Sequence, residues 1–217
     1  MIKKRTNNLN NYCNKFKRLF YLIFIIQLVF ISFFSHANAN NSLKASKTIQ
    51  LMLMEAKEHA FNTVELAPKQ RTKKIKLLIK KYIHLDFMAR ATTGAFWKKA
   101  SVLQRDKYKI ALLNRLISTI EIHLNKLSIL TYRTLKTELR GKKLVYVRGL
   151  IEDPKKKQPS VKILWKLASN KQGNFVILDL EIESVSLVSS HKAENISILR
   201  KNKGNFEVLL RELNQVK

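Results

Sequence analysis

The side chains in residues 40–217 that could do chemistry are four histidines, a run of alternating carboxylates and one serine-bearing turn. His59, His84, His123 and His191 are widely separated, and no His-x-x-x-His or Glu-x-x-His spacing puts two metal ligands on one helical face. Asp179, Glu181 and Glu183 alternate and would line one face of a strand. Paired carboxylates can do acid–base work, but in a chain this rich in lysine they read as ion-pair partners. Glu183-Ser184-Val185-Ser186-Leu187 lacks the glycines of a nucleophile elbow. Five scattered glycines make no phosphate-cradling loop. The only cysteine, Cys13, lies in the leading segment, so residues 40–217 have no disulfide, thiol nucleophile or cysteine-based metal site. No catalytic residue, metal or cofactor is expected. An enzyme would need Asp179, Glu181 or a histidine to converge in a cleft that strongly perturbs its pKa.

The leading segment reads as an export signal. Lys3, Lys4, Arg5, Lys15, Lys17 and Arg18 precede Leu19–Phe34, which is apolar except for Gln27 and Ser32. Ala37-Asn38-Ala39 then supplies the small-x-small exit. Sixteen apolar residues span roughly 24 Å as a helix, short of a hydrocarbon core of roughly 30 Å. The expectation is a signal peptide over 1–39, cleaved after Ala39, and a single domain over 40–217. A retained anchor is the alternative. Either way, the basic end stays cytoplasmic and the rest is exported, which in a Gram-negative cell means the periplasm.

Export changes the meaning of the charge. Six of the 42 basic residues precede residue 40, leaving 36 against 15 acidic ones, a net +21. In the cytoplasm that balance would point to nucleic acid. Outside it, the abundant polyanions are phospholipid head groups and lipopolysaccharide, and each Lys or Arg near an anionic membrane contributes about 1 kcal/mol. Transient membrane contact is therefore expected, and no nucleic-acid partner.

The elements follow from periodicity. A helix is expected over 43–66, with Leu51, Met54, Phe61 and Leu66 among its apolar positions, until Pro68 interrupts it. A second helix, 69–82, has a basic face (Lys69, Arg71, Lys73, Lys74, Lys76, Lys80, Lys81) and an apolar one (Ile75, Leu78, Ile79, Tyr82). A third, 85–93, stops at Gly94. Ser101 caps the longest, 102–127, whose stripe of Tyr108, Leu112, Leu116, Ile120 and Leu124 is widened by Leu113, Ile117 and Leu127. The period then becomes two. Four strands are expected: 131–139, 144–151, one carrying Val161, Ile163, Trp165 and Leu167 on one face, and one carrying Val176, Leu178, Leu180 and Ile182 on one face. Helices at 187–201 and 205–215 close an α+β domain, its helices packed on a twisted four-stranded antiparallel sheet.

One stretch is distinctive. Asp86-Phe87, Met88-Ala89-Arg90, Gly94, Phe96-Trp97 and Gln104-Arg105 resemble a signature of the MlaC-like proteins. This is the periplasmic phospholipid-shuttle family of the maintenance of outer-membrane lipid asymmetry, also called toluene-tolerance proteins. Glu183, Val185, Ser186 and Leu187 resemble a second family motif, with Ser184 where the family has glycine. If that glycine serves a positive φ, Ser184 is expected to be strained or the turn rebuilt. His191-Lys192 and Glu194-Asn195 replace two family pairs, and Phe175 stands where tryptophan is common.

The resemblance implies an apolar cavity for acyl chains between helices and sheet, although periodicity alone fits a filled core equally well. The residues expected to line it are Phe96, Trp97, Leu112, Leu116, Ile120, Tyr146, Ile163, Trp165, Val176, Leu178 and Leu180. The faces of Tyr146 and Trp165 depend on register, which a one-residue slip reverses. The resemblance further implies a phospholipid or related amphiphile as ligand. The implied protein partners are an inner-membrane lipid ABC transporter and an outer-membrane lipoprotein–porin complex. A protein that adheres to anionic envelope polymers through its lysines is the rival reading, and it predicts salt-sensitive binding.

Overall fold

The computed structural model describes residues 40–58, 67–141 and 143–215. The chain divides into two units, Met1–Asn41 and Ser42–Lys217, and the elements below belong to the second. The leading segment, His59, Phe61 and Leu66 lie outside the described residues.

A first helix, α1 (residues 42–58 of this unit), is followed by α2 (Pro68–Tyr82), α3 (Leu85–Thr93), α4 (Phe96–Lys99) and α5 (Val102–Ser128). The sheet follows as β1 (Thr131–Arg140), β2 (Leu144–Glu152), β3 (Val161–Ser169), β4 (Phe175–Ile182) and β5 (Val185–Ser186), before α6 (Leu187–Lys201) and α7 (Phe206–Gln215). Strand order is sequential, and every pair is antiparallel. The fold is α+β as expected, with five strands rather than four. The extra strand is two residues long, too short to leave an alternating pattern.

Local chemistry sets the helix boundaries. Pro68 opens α2, where its missing N–H costs nothing. The His84 ring nitrogen Nδ1 accepts from the Phe87 N–H at 3.3 Å and caps α3, which Gly94 ends with φ +56°. Ser101 and Gln104 form a reciprocal capping box at α5: Gln104 N–H donates to Ser101 Oγ at 3.2 Å, and Ser101 N–H to Gln104 Oε1 at 3.0 Å. Arg105 donates to the carbonyls of Trp97 and Lys98 and lies over the Trp97 ring. The motif residues Gln104 and Arg105 thus hold the α4–α5 corner.

In α1 the buried side is Ala45 and Ile49, with Met52 and Leu53 packed beside them, while Leu51 and Met54 are exposed. A helix this rich in apolar residues offers several stripes, and the one that follows i, i+4, i+7, i+8 meets the sheet.

The sheet contains two bulges. Between β3 and β4 the register shifts, so Lys166 opposes Asp179 and Leu167 opposes Ile177, leaving Leu178 unpaired. The bulge reverses the alternation. Phe175 and Ile177 therefore share a face with Leu180 and Ile182, and Val176 takes the other side. The grouping of Val176, Leu178, Leu180 and Ile182 on one face is corrected accordingly. A second bulge leaves Leu135 unpaired in β1.

Three apolar clusters result. One joins α3, α5, α6 and α7 around Met88, Tyr108, Leu112, Leu199 and Leu209. A second lies between α2 and α5 around Ile75, Ile79, Leu113 and Ile117. The third is the sheet face with α1 and Tyr82 of α2. Ile83 packs against all three, fixed by the hydrogen bond from His84 N–H to the Ile177 carbonyl.

Candidate functional site

The faces of the sheet differ in chemistry because register sorts their residues. One face runs Leu139, Val145, Leu167 and Ile177 in a first row, then Thr137, Val147, Trp165 and Leu180, then Thr134, Gly149, Ile163 and Ile182. A last row holds Tyr132, Ile151 and Val161. The first row is closed, with Val145, Leu167 and Ile177 buried against the helices. Ile182, two rows on, is 38% exposed, so the apolar face opens toward that edge.

Gly149 creates an unusual contact there. With no side chain on β2, the Tyr132 ring reaches across from β1 to Trp165 on β3, edge-on, with centroids 6.3 Å apart and an interplanar angle of 80°. A Cβ built on Gly149 would overlap that ring, with Cζ and Oη at 2.6 Å. Tyr132 Oη, Thr134 Oγ1 and Trp165 Nε1 meet in this region, and all three are buried without a hydrogen-bond partner. Burial pushes the Tyr132 phenol pKa up, and the Thr134 and Trp165 side chains, close to its hydroxyl but outside hydrogen-bond geometry, pull it back.

The other face is polar. Lys166 pairs with Asp179 at 2.9 Å and with Glu181. Burial works against the Lys166 charge, and the hydrogen bonds it donates to two carboxylates, Glu181 and Asp179, more than offset this, holding its pKa above the ordinary lysine value. Asp179, only 6% exposed, also accepts from Ser186 Oγ at 2.7 Å and from the N–H groups of Leu180 and Val188, tying the start of α6 to β4. Glu183 accepts from the Lys162 N–H. The alternating carboxylates therefore anchor strand and helix. Tyr146 lies on this face under the Arg140 and Lys166 cations, and Glu138 pairs with Lys136, Arg140 and Arg148. In the turn between β4 and β5, Glu183 (φ +46°) and Ser184 (φ +69°) both sit in the left-handed region. The serine at the motif's glycine position is thus strained.

The eleven residues expected to line an apolar wall are distributed unevenly. Ile163, Trp165 and Leu180 share the apolar sheet face. Ile120 lies in the α2–α5 cluster, and Leu116 packs against both that cluster and the four-helix one. Phe96, Trp97 and Leu112 belong to the four-helix cluster, where Trp97 meets Tyr108 edge-on at 6.3 Å. Tyr146 and Val176 occupy the polar face, and Leu178 is the bulge residue. Sequence reading missed Tyr132, Thr134 and Gly149. Tyr132 and Thr134 alternate with Arg133 in a way that announced a shared face, but no pattern says that a glycine on the intervening strand lets a tyrosine cross to a tryptophan two strands away.

The four-helix cluster holds its own polar group. Asn195, 1% exposed, donates through Nδ2 to Tyr108 Oη at 2.7 Å and to the Thr92 carbonyl, and Tyr108 Oη bonds Thr92 Oγ1 at 2.8 Å. A shallow, solvent-open groove on the outer side of α6 is lined by Lys192, Ile196, Arg200 and Lys201 among others. Exposed Lys69, Lys73, Lys76 and Lys80 line α2 beside exposed Leu77. Among the described residues, no three His, Cys, Asp or Glu side chains are grouped to hold a metal ion, and no helix is long and apolar enough to cross a membrane.

The fold is shared with a known structure. No curated protein sequence matches the chain. Among the solved structures that do match is a phospholipid-binding protein from Ralstonia solanacearum, determined in complex with a phospholipid. It aligns with a TM-score of 0.67 at 16% identity, over 79% of this chain and 96% of that one, which shows a common fold. The family model described as MlaC protein matches residues 48–215, most of the chain and every named element of the sheet, so the chain belongs to the MlaC protein family.

Proposed function

We propose that this protein is a periplasmic lipid carrier and not an enzyme. The acyl chains of a phospholipid or related amphiphile lie against the apolar sheet face, and the head group lies at its open edge. The observation that carries the reading is the sheet face itself: apolar across four strands, closed at the Val145–Leu167–Ile177 row and open near Ile182. The family match supports it, as does the fold shared with a protein that was determined with a phospholipid bound. Ile163, Trp165 and Leu180 line the wall, with Leu116 and Ile120 reaching it through Ile83 and Leu78.

The energetics explain why no catalytic group is needed. Exposing roughly thirty methylenes to water costs about 24 kcal/mol at about 0.8 kcal/mol each, and an apolar wall in place of the bilayer interior removes most of that barrier. Residues 1–39 direct export, and the exposed lysines of α2 favour encounter with anionic membrane. An inner-membrane ABC transporter and an outer-membrane lipoprotein–porin complex are the exchange partners, and the energised one sets direction.

Native followed by denaturing mass spectrometry of protein purified from a periplasmic fraction tests the reading. The expected result is a co-purified species of phospholipid mass, released on denaturation, retained in high salt and lost in a folded Leu180→Arg variant. A folded protein that takes up no lipid from vesicles would overturn it. Binding that salt abolishes would favour adhesion through surface lysines instead.

A further inference from the structure

Resting on that reading, we propose that Tyr132 Oη, Thr134 Oγ1 and Trp165 Nε1 form a polar anchor in the apolar wall that holds an ester carbonyl oxygen of the bound lipid. Tyr132 and Trp165 belong to the sheet-face cluster and Thr134 shares their face, and the three polar atoms are each buried and outside hydrogen-bond geometry with any protein group. Trp165 is only 7% exposed, so water does not reach its indole freely. Leaving even one such group unpaired is costly, and three together on an otherwise apolar face define a point where an acceptor is held.

The chemistry of the three groups selects the acceptor. An indole N–H only donates, and the two hydroxyls can both turn to donate. All are neutral. Burial is what raises the Tyr132 phenol pKa, and its neutral neighbours Thr134 and Trp165 lower it. A phosphate or carboxylate brought here would be a buried charge without a counter-charge, which is strongly unfavourable. A carbonyl oxygen needs donors and no cation. In a diacyl lipid the ester carbonyls lie where the apolar chains begin, and the anchor lies beyond the closed first row, with Trp165 in the second row and Thr134 in the row that ends at the exposed Ile182.

Gly149 makes the anchor possible. Its missing side chain lets the Tyr132 ring lie across β2, so that residues from β1 and β3 converge. The site would thus set depth: chains slide along the apolar face until an ester group meets the three donors.

The test uses the protein as purified from the periplasm and vesicles of two phosphatidylglycerols of equal chain length. One carries ester-linked chains and the other ether-linked chains, which lack the carbonyls. Uptake is read as the fraction of protein carrying lipid in native mass spectra. The expected result is a preference for the ester lipid of about fivefold, the size of one net hydrogen bond. In Tyr132→Phe and Thr134→Val, checked for folding by circular dichroism, the preference for the ester lipid falls to about one. Equal uptake of the two lipids by the wild-type protein, or a preference that survives both substitutions, would sink the anchor and leave the carrier reading standing. Failure to take up either lipid would overturn the carrier reading, and the anchor with it.

Discussion

Two tyrosines pack into different apolar clusters, Tyr108 buried and Tyr132 half-buried, and their surroundings part company at the hydroxyl. In the four-helix cluster, Tyr108 Oη is bonded by Thr92 Oγ1 at 2.8 Å and by Asn195 Nδ2 at 2.7 Å. On the sheet face, Tyr132 Oη has no partner, and neither do its neighbours Thr134 Oγ1 and Trp165 Nε1. Even the satisfied group has one loose end, Asn195 Oδ1, but its remaining polar atoms close on one another. The difference separates polar groups that hold the fold from polar groups placed for something else. The helices need Tyr108 to join α3, α5 and α6, whereas the sheet gains nothing from the Tyr132 hydroxyl in the protein alone.

Asp179 marks the far end of that scale, because it is buried and accepts from Lys166, Ser186, Leu180 and Val188. Removing one member of a buried, hydrogen-bonded charge network leaves the others uncompensated. Asp179→Ala should therefore lose about 3–5 kcal/mol of unfolding free energy in a urea titration. A loss below about 1 kcal/mol would show that satisfied polar groups in this fold carry little stability, and the contrast between the tyrosines would lose its meaning. Gly149→Ala comes next. Its Cβ would meet the Tyr132 ring, an overpacking cost of about 1–3 kcal/mol. It should also abolish the near-ultraviolet circular dichroism contributed by the Tyr132–Trp165 pair. An unchanged aromatic signal would mean that the ring has another place to go.

The same contrast explains what the sequence disclosed. The cap at Ser101, the stop at Gly94, and the bounds of α6 were legible because backbone chemistry over a few residues decides them. The pairing of Asp179 and Glu181 with a lysine followed from charge balance alone. The faces of β4 were misread, since a bulge at Leu178 leaves no trace in an alternating run of apolar residues. Phe96 and Trp97, which carry the family resemblance, pack with α5 and α7 and not on the sheet. A motif is visible because its residue types are distinctive, and these residue types are needed to build a corner. Tyr132 and Thr134 were invisible because their role comes from Gly149 and Trp165 on other strands, which only register brings together.

The sharpest comparison applies one substitution to both tyrosines. Tyr108→Phe removes a hydroxyl that two groups bond, leaving the buried Asn195 amide short of a partner, and should destabilise the lipid-free protein by about 1–2 kcal/mol. Tyr132→Phe removes a hydroxyl whose burial is uncompensated within the protein. The transfer cost of that group disappears and no bond is lost, so the lipid-free protein should be unchanged or gain up to about 1 kcal/mol. Urea midpoints for the two variants, measured after lipid is stripped, should then move in opposite directions or differ by at least the Tyr108 loss. Adding lipid should reverse the order at position 132 alone, because a ligand that binds only the folded state stabilises it in proportion to its affinity, and the Tyr132→Phe variant would hold its lipid less tightly. Equal losses at both positions in the stripped protein would mean that the Tyr132 hydroxyl is already bonded inside the fold, and the two regions would be alike after all.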